Sequence, residues 1–402
     1  MSEFLPGVRS ISLGIWVNVG SRNERPDENG LSHFIEHLVF KGTKKRSARQ
    51  IAASLESIGG SLNAFTSKEH TCFVARVLDT HLAEAVDVLA DMTSAPKFSA
   101  GDIRLEKGVV CEEIKEAHDT PSDRIHDNFA AAFWKNHPLG QTILGSQNNI
   151  SSMTRKRVVD FYGRNYRAGS VVVAAAGSVS HAKLVRLIKE KLALPDGAAG
   201  SYLAPLYPES KTVALEPTDG LQTHLCLGFP GFPYNTKDRA ATTALHALLG
   251  GGMSSILFQK IREQKGLAYS VYTFHDFHFD AGLFGAYLGT DKTHVRQAFD
   301  TVLDELRKVK KRKQPLSRIE EVKAQLKGQF VLGMEGTSNR MSRIARVELM
   351  GGHYLTMKET LKNIDKVTPA DILEIANRLI DEDKMAVAVL GPVDTESFAD
   401  VT

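Results

Sequence analysis

Gly30-Leu-Ser-His-Phe-Ile-Glu-His-Leu-Val-Phe-Lys-Gly42 places His33, Glu36 and His37 in an H-x-x-E-H arrangement. Asp27 to Gly30 reads as a turn and Ser32 as a cap. Leu31, Phe34, Ile35, Leu38 and Val39 then recur at the spacing of a helix until Gly42 stops the run. Residues four apart lie one turn above each other, so the imidazoles of His33 and His37 can reach one metal ion. Glu36, beside His37 and three residues from His33, brings a carboxylate next to that ion rather than onto it, where it can take a proton from water. A chance pair of histidines, or a structural zinc site closed by cysteines, leaves the glutamate inside the pair unexplained. The stretch reads as a catalytic metal site on a helix.

Two histidines leave a catalytic zinc one protein ligand short, and a carboxylate is the expected third. The predicted helix from Gly101 to Ala117 offers Glu106, Glu112, Glu113 and Glu116, with His118 at its end. Ile103, Glu106, Val110, Glu113, Ile114 and Ala117 share one face, whereas Glu112 and Glu116 fall with Lys115 on the other. Glu113 is therefore the carboxylate expected on the packed face. Glu106, two turns back on that face, is placed to orient a ligand from behind. Glu112 and Glu116 are expected to be solvated.

The 402 residues suit two domains of about 200 residues rather than one core. Hydrophobic content of 42% with 24% charged residues describes a soluble globular chain. A net charge of +3 gives no case for nucleic acid, and the basic run Arg307 to Lys313 reads as a solvated helix end. Cys72, Cys111 and Cys226 are far apart and odd in number, which disfavours a disulfide framework and fits a reducing, cytoplasmic compartment. They read as small core residues. No apolar window is long enough for a membrane span, and Met1 to Pro6 lacks the regions of a signal peptide. A leading strand before Val8 is expected to be absent.

Elements recur in the same order in both halves. Ile11 to Val19 alternates as a half-buried strand. A helix opened by a Ser47/Gln50 capping box follows, then strands Ser61 to Thr66 and Thr71 to Leu78. After the segment Pro195 to Pro205, whose composition is that of a linker, His224 to Leu227, Ala240 to Leu249, Ala268 to Phe274 and Gly282 to Leu288 repeat the pattern. The helix matching the metal helix reads Thr243-Ala-Leu-His-Ala-Leu-Leu249 and lacks the motif. The expected fold is α+β, with two homologous domains at 1–195 and 206–402, each a mostly antiparallel sheet with helices packed on one side.

Three further stretches carry a resemblance: Gly59-Gly-Ser-Leu-Asn-Ala-Phe-Thr-Ser-Lys-Glu-His-Thr71, His137-Pro-Leu-Gly-Gln-Thr-Ile-Leu-Gly145 and Ile261-Arg-Glu-Gln-Lys-Gly-Leu-Ala-Tyr-Ser-Val271. With the metal motif, an inverted form of the zincin H-E-x-x-H, they resemble the insulinase/pitrilysin family of zinc peptidases. The likeness is strongest to its short bacterial members and to the mitochondrial processing peptidase β subunit. It spans nearly the whole chain.

The resemblance implies one Zn2+ per chain on His33, His37 and Glu113, with Glu36 as the base. It also implies a peptide or unfolded protein bound as an extra strand near Asn63 and Ala64, and substrate contacts from Arg262 and Tyr269, seven residues apart. Longer relatives close four such domains into a chamber, so a homodimer is expected, Arg262 and Tyr269 of one copy completing the zinc site of the other. Alternatives are the catalytic subunit of a heterodimeric processing peptidase and a non-catalytic scaffold of the same fold.

Overall fold

The computed structural model describes residues 1–198, 200 and 202–401. In chain order the first half carries β1 (Ser2–Phe4), β2 (Ser10–Val17), α1 (Leu31–Val39), α2 (Ala48–Glu56), β3 (Ser61–Thr66), β4 (Thr71–Leu78), α3 (Leu82–Ser94), α4 (Ala100–His118), α5 (Pro121–Phe133), α6 (Gln147–Ser152), α7 (Arg155–Asn165), β5 (Val171–Gly177) and α8 (His181–Lys191). The second carries β6 (Thr212–Pro217), β7 (Thr223–Pro230), α9 (Arg239–Gly250), β8 (Ser270–Phe277), β9 (Gly282–Thr290), α10 (Val295–Lys311), α11 (Leu316–Gly333), α12 (Thr337–Leu349), α13 (Met357–Asp365), α14 (Pro369–Leu379) and β10 (Ala386–Gly391). None of the described helices is long and apolar enough to cross a membrane.

Two five-stranded sheets form, in the orders β1-β5-β2-β4-β3 and β6-β10-β7-β9-β8. Adding five to each strand number of the first order produces the second, so the internal duplication is written in the topology. In each sheet the first strand pairs parallel with the last, and the remaining pairs are antiparallel. The fold is α+β. β1 corrects the expectation that a leading strand is missing: Ser2, Glu3 and Phe4 pair with Ala175, Ala176 and Gly177.

The first compact unit is Met1–Glu116, Gln141–Leu203 and Gly333–Tyr354. Strand alternation sends Ile11, Leu13, Ile15 and Val17 to one face of the sheet, where they pack with Phe34, Ile35 and Leu38 of α1 and with Val86 and Leu89 of α3. Trp16, Cys72, Ala174 and Ala176 point the other way and are covered by Met341, Ile344, Ala345 and Leu349 of α12. Trp16 Nε1 donates to Met341 Sδ at 3.2 Å, and Ser12 Oγ lies 2.8 Å from Thr337 Oγ1.

The second unit is Ala117–Gly140, Ala204–Leu332 and Leu355–Thr402. Its inner face packs Leu225, Leu227 and Phe229 of β7 with Leu245 and Leu248 of α9 and with Phe299 of α10. Its outer face is closed by Ile125, Phe129 and Phe133 of α5. There the hydrogen bonds run through rings. His126 Nε2 lies 2.9 Å from the Tyr272 hydroxyl, His224 Nδ1 lies 2.9 Å from the Tyr287 hydroxyl, and the two tyrosines stack at 4.7 Å.

The contiguous division at 195 and 206 thus misses an exchange: each unit is closed by a helix from the other half of the chain. Glycine makes room for both. A Cβ on Gly14 would sit 2.8 Å from Met341 Sδ, and one on Gly228 would sit 2.7 Å from Phe129 Cζ. Of the expected linker, Ala199 and Ser201 lie outside the described residues, but Tyr202 and Leu203 are docked. Arg22, ion-paired with Glu69 at 2.6 Å, lies over the Tyr202 ring at 4.6 Å and donates to Leu203 O at 2.8 Å. Cys72 and Cys226 are buried core residues, Cys111 is partly exposed, and all three are free thiols.

Candidate metal centre

α1 buries Leu31, Phe34, Ile35, Leu38 and Val39, which leaves His33, Glu36 and His37 partly exposed on its other face. Ser32 is not its cap. Gly30, at φ +100°, occupies the cap position, and the carboxylate of Glu24 takes the N–H of the cap and that of Ser32 in the first turn. Glu24 accepts from Ser32 N at 2.6 Å, Gly30 N at 2.8 Å and Asn29 Nδ2 at 3.0 Å, and is 2% exposed. Burial pushes the Glu24 carboxyl up to about 7 against these hydrogen bonds, and its ionised form is favoured by the positive pole of the helix.

α4 brings Glu113 to the histidines. Its Oε2 lies 3.7 Å from His33 Nε2 and 3.5 Å from His37 Nε2. A tetrahedral ion with 2.0–2.1 Å bonds needs ligand atoms about 3.4 Å apart, which these two distances nearly match. The Glu113 Oε2 atom is buried with no hydrogen-bond donor, an arrangement that a cation resolves. Burial, with His37 beside it, pushes His33 down to about 4, so its ring is neutral and can offer a lone pair. Among the described residues these three form the only His/Cys/Asp/Glu group close enough to hold a metal. Glu112 is exposed and paired with Lys115 at 2.7 Å, and Glu116 is exposed.

Glu106, 4% exposed, stands behind His37. Its Oε2 lies 3.2 Å from His37 Nδ1, which fixes the proton there and leaves Nε2 for a metal. Its Oε1 is 2.6 Å from Lys41 Nζ. Sequence reasoning missed Lys41, although it follows His37 by one helical turn. Glu36 stays out of the ligand group. Thr66 Oγ1 donates to its Oε2 at 2.6 Å, and burial raises its carboxyl above the usual range while that bond opposes the rise. A cavity of about 240 Å³ opens here, lined by Glu36, His37, Phe40, Lys41, Asn63, Ala64 and Glu106. Asn63 and Ala64 belong to β3, the edge strand of its sheet, and Asn63 Oδ1 accepts from Ala64 N at 2.9 Å.

Arg262 and Tyr269 sit together in the second unit. The Arg262 guanidinium lies 4.5 Å over the Tyr269 ring and 4.9 Å over Phe258, and Tyr269 is 75% exposed. In α9 the positions matching His33, Glu36 and His37 are Thr243, His246 and Ala247. His246 Nδ1 is 2.8 Å from Thr273 Oγ1, and its ring is 4.7 Å from that of His275.

Residues 2–147 match the family model for insulinase (peptidase family M16), and residues 152–326 match the peptidase M16 inactive domain. A protein of Streptomyces coelicolor named as an uncharacterized zinc protease is 40% identical over 98% of this chain and 87% of its own. YmxG of Bacillus subtilis, named likewise, is 38% identical over 96% and 94%. A crystal structure of a protease from Helicobacter pylori superposes with a TM-score of 0.92 at 22% identity, covering 97% and 96% of the two chains. A chain of complex III2 from Candida albicans gives 0.85 at 17% identity, over 100% and 94%. Those two likenesses speak to the fold alone, whereas the matched models and the sequence relatives place the whole chain in peptidase family M16, the insulinase family.

Proposed function

We propose that this chain is a zinc-dependent endopeptidase acting on peptides or unfolded segments held as an added strand along β3. The convergence of His33 Nε2, His37 Nε2 and Glu113 Oε2, with Glu36 beside them but outside the set, carries this reading. Zinc bound by these atoms would supply the Lewis acidity that makes water a nucleophile near neutral pH. Glu36 takes the proton of the attacking water and returns it to the leaving amine. Glu106 holds the His37 ring so that its lone pair faces the ligand set. The open edge of β3 offers backbone hydrogen bonds to any extended peptide, and the cavity beside Asn63 and Ala64 takes a side chain.

Arg262 and Tyr269 of a second copy complete the site in this proposal, Tyr269 donating its hydroxyl to the carbonyl oxygen and Arg262 holding the peptide backbone. The solvent exposure of Tyr269 beside the Arg262 guanidinium supports a pair presented outward. A scaffold has no use for an orphaned carboxylate oxygen facing two imidazole nitrogens, so the intact donor set favours the enzyme.

The test is cleavage of a quenched fluorescent peptide by wild type and Glu36→Gln, with bound zinc and solution mass measured on both. Activity that disappears in a variant still holding zinc supports the reading. A dimer with zinc that cleaves nothing overturns it in favour of the scaffold. A monomer active only with a different chain overturns the homodimer in favour of the heterodimeric peptidase.

A further inference from the structure

We propose that Thr66 is a positioning residue that holds Glu36 off the metal and ties it to the peptide-binding edge. Its kinetic part rests on the peptidase reading above; its spectroscopic part rests only on the donor set.

The direction of the hydrogen bond follows from counting protons. Thr66 faces Thr71 across the β3–β4 ladder, their hydroxyl oxygens 3.5 Å apart. Thr71 is fully buried and its one proton goes to Val19 O at 2.9 Å. The Thr66 proton therefore goes to Glu36 Oε2 at 2.6 Å, a length typical of a hydroxyl on an ionised carboxylate. One oxygen of Glu36 is thereby fixed, and the other is left for the proton of water. Without the tether, a carboxylate one residue from His37 has the side-chain freedom to join a nearby cation as a fourth protein ligand, the position that a catalytic site keeps for water.

The matching edge of the second unit carries a different contact. By ladder register His275 of β8 is the counterpart of Thr66, and its ring lies 4.7 Å from that of His246, the residue matching Glu36. Thr273, at the place of Ala64, donates its hydroxyl to His246 O at 3.0 Å, so the hydroxyl–carboxylate contact is particular to the first unit. Thr66 also ends the strand that carries Asn63 and Ala64, so a peptide pairing with β3 acts on the residue that aims Glu36.

The experiment loads wild type, Thr66→Val, Thr66→Ser, Glu36→Ala and Thr66→Val/Glu36→Ala with Co(II) in place of zinc and compares visible spectra, then measures kcat and KM on the zinc forms. In Thr66→Val the d–d bands change in position and shape as the Glu36 carboxylate replaces water in the coordination sphere. Thr66→Ser recovers the wild-type spectrum, and the double variant matches Glu36→Ala alone. In the zinc forms kcat falls about 10- to 100-fold in Thr66→Val with KM within about twofold, and Thr66→Ser recovers it. A Thr66→Val spectrum identical to wild type overturns the inference, as does equal damage in Thr66→Ser, which would mean packing. If Thr66→Val does not fold, Thr66→Ala replaces it with the same readouts. A wild type that binds Co(II) but cleaves nothing overturns the peptidase reading, and the spectra still decide the role of Thr66.

Discussion

The two sheets share one strand order, and α1 and α9 lie on matching faces, yet the donor sets differ completely. α1 carries His33, Glu36 and His37, where α9 carries Thr243, His246 and Ala247. A later long helix in each half inverts the buried charge: α4 buries Glu106, whereas α11 buries Lys323, paired with Glu320 at 2.9 Å. A buried anion favours a neighbouring cation and a buried ammonium opposes one. The duplicated scaffold therefore accepts either content, and the chemistry resides in a few side chains on two helices.

The sharpest test of that contrast exchanges loss in one helix for loss in the other. Glu36→Gln should lower kcat by about 10³-fold or more while retaining zinc, whereas His246→Ala should stay within about threefold of wild type in the same peptide assay. A comparable loss in both would end the claim that one unit alone holds the chemistry.

Metal removal asks the same question of stability. If zinc is held at about 100-fold its Kd, chelation removes about 3 kcal/mol from the folded state. Hydrogen exchange after chelation should then quicken in α1 and α4 and leave α9 unchanged. Exchange that rises equally in α9 would contradict this localisation.

Support behind the ligands should count for less than the ligands themselves. Glu106→Gln is expected to weaken zinc binding about 10- to 100-fold, read by competition with a chromogenic chelator, while Lys323→Met leaves it unchanged. The smallest effect concerns the outer faces. Tyr287→Phe removes the hydrogen bond to His224 and should cost the second unit about 1 kcal/mol in denaturant unfolding, with no change in bound zinc.

What could be read beforehand follows from periodicity. The 3.6-residue pattern located α1 and also separated Glu113 and Glu106 from Glu112 on α4, because one face of that helix must be buried. The Ser47 cap with Gln50 at its third position is a local motif and appears as such. β1 and β6 escaped because a short parallel edge strand has little alternation to show. Glu24, Lys41 and Thr66 escaped for another reason: each acts through a contact set by the fold rather than by spacing along one element. The helical periodicity of Ser122 to Trp134 likewise marks α5 but cannot say that its apolar face covers β7 and β10.

The exchange of α5 and α12 has a consequence for how the chain is made. Trp16, Cys72, Ala174 and Ala176 are covered by α12, at Thr337–Leu349. A ribosome adding about 5–20 residues per second needs roughly 7 to 27 seconds to pass from Leu203 to that helix. Throughout that interval the nascent first unit displays one face of an indole and a row of small side chains to water, a surface on which chaperones can act. A chain that stops before residue 337 cannot complete the first unit, so the synthesis of α12 controls when that unit closes.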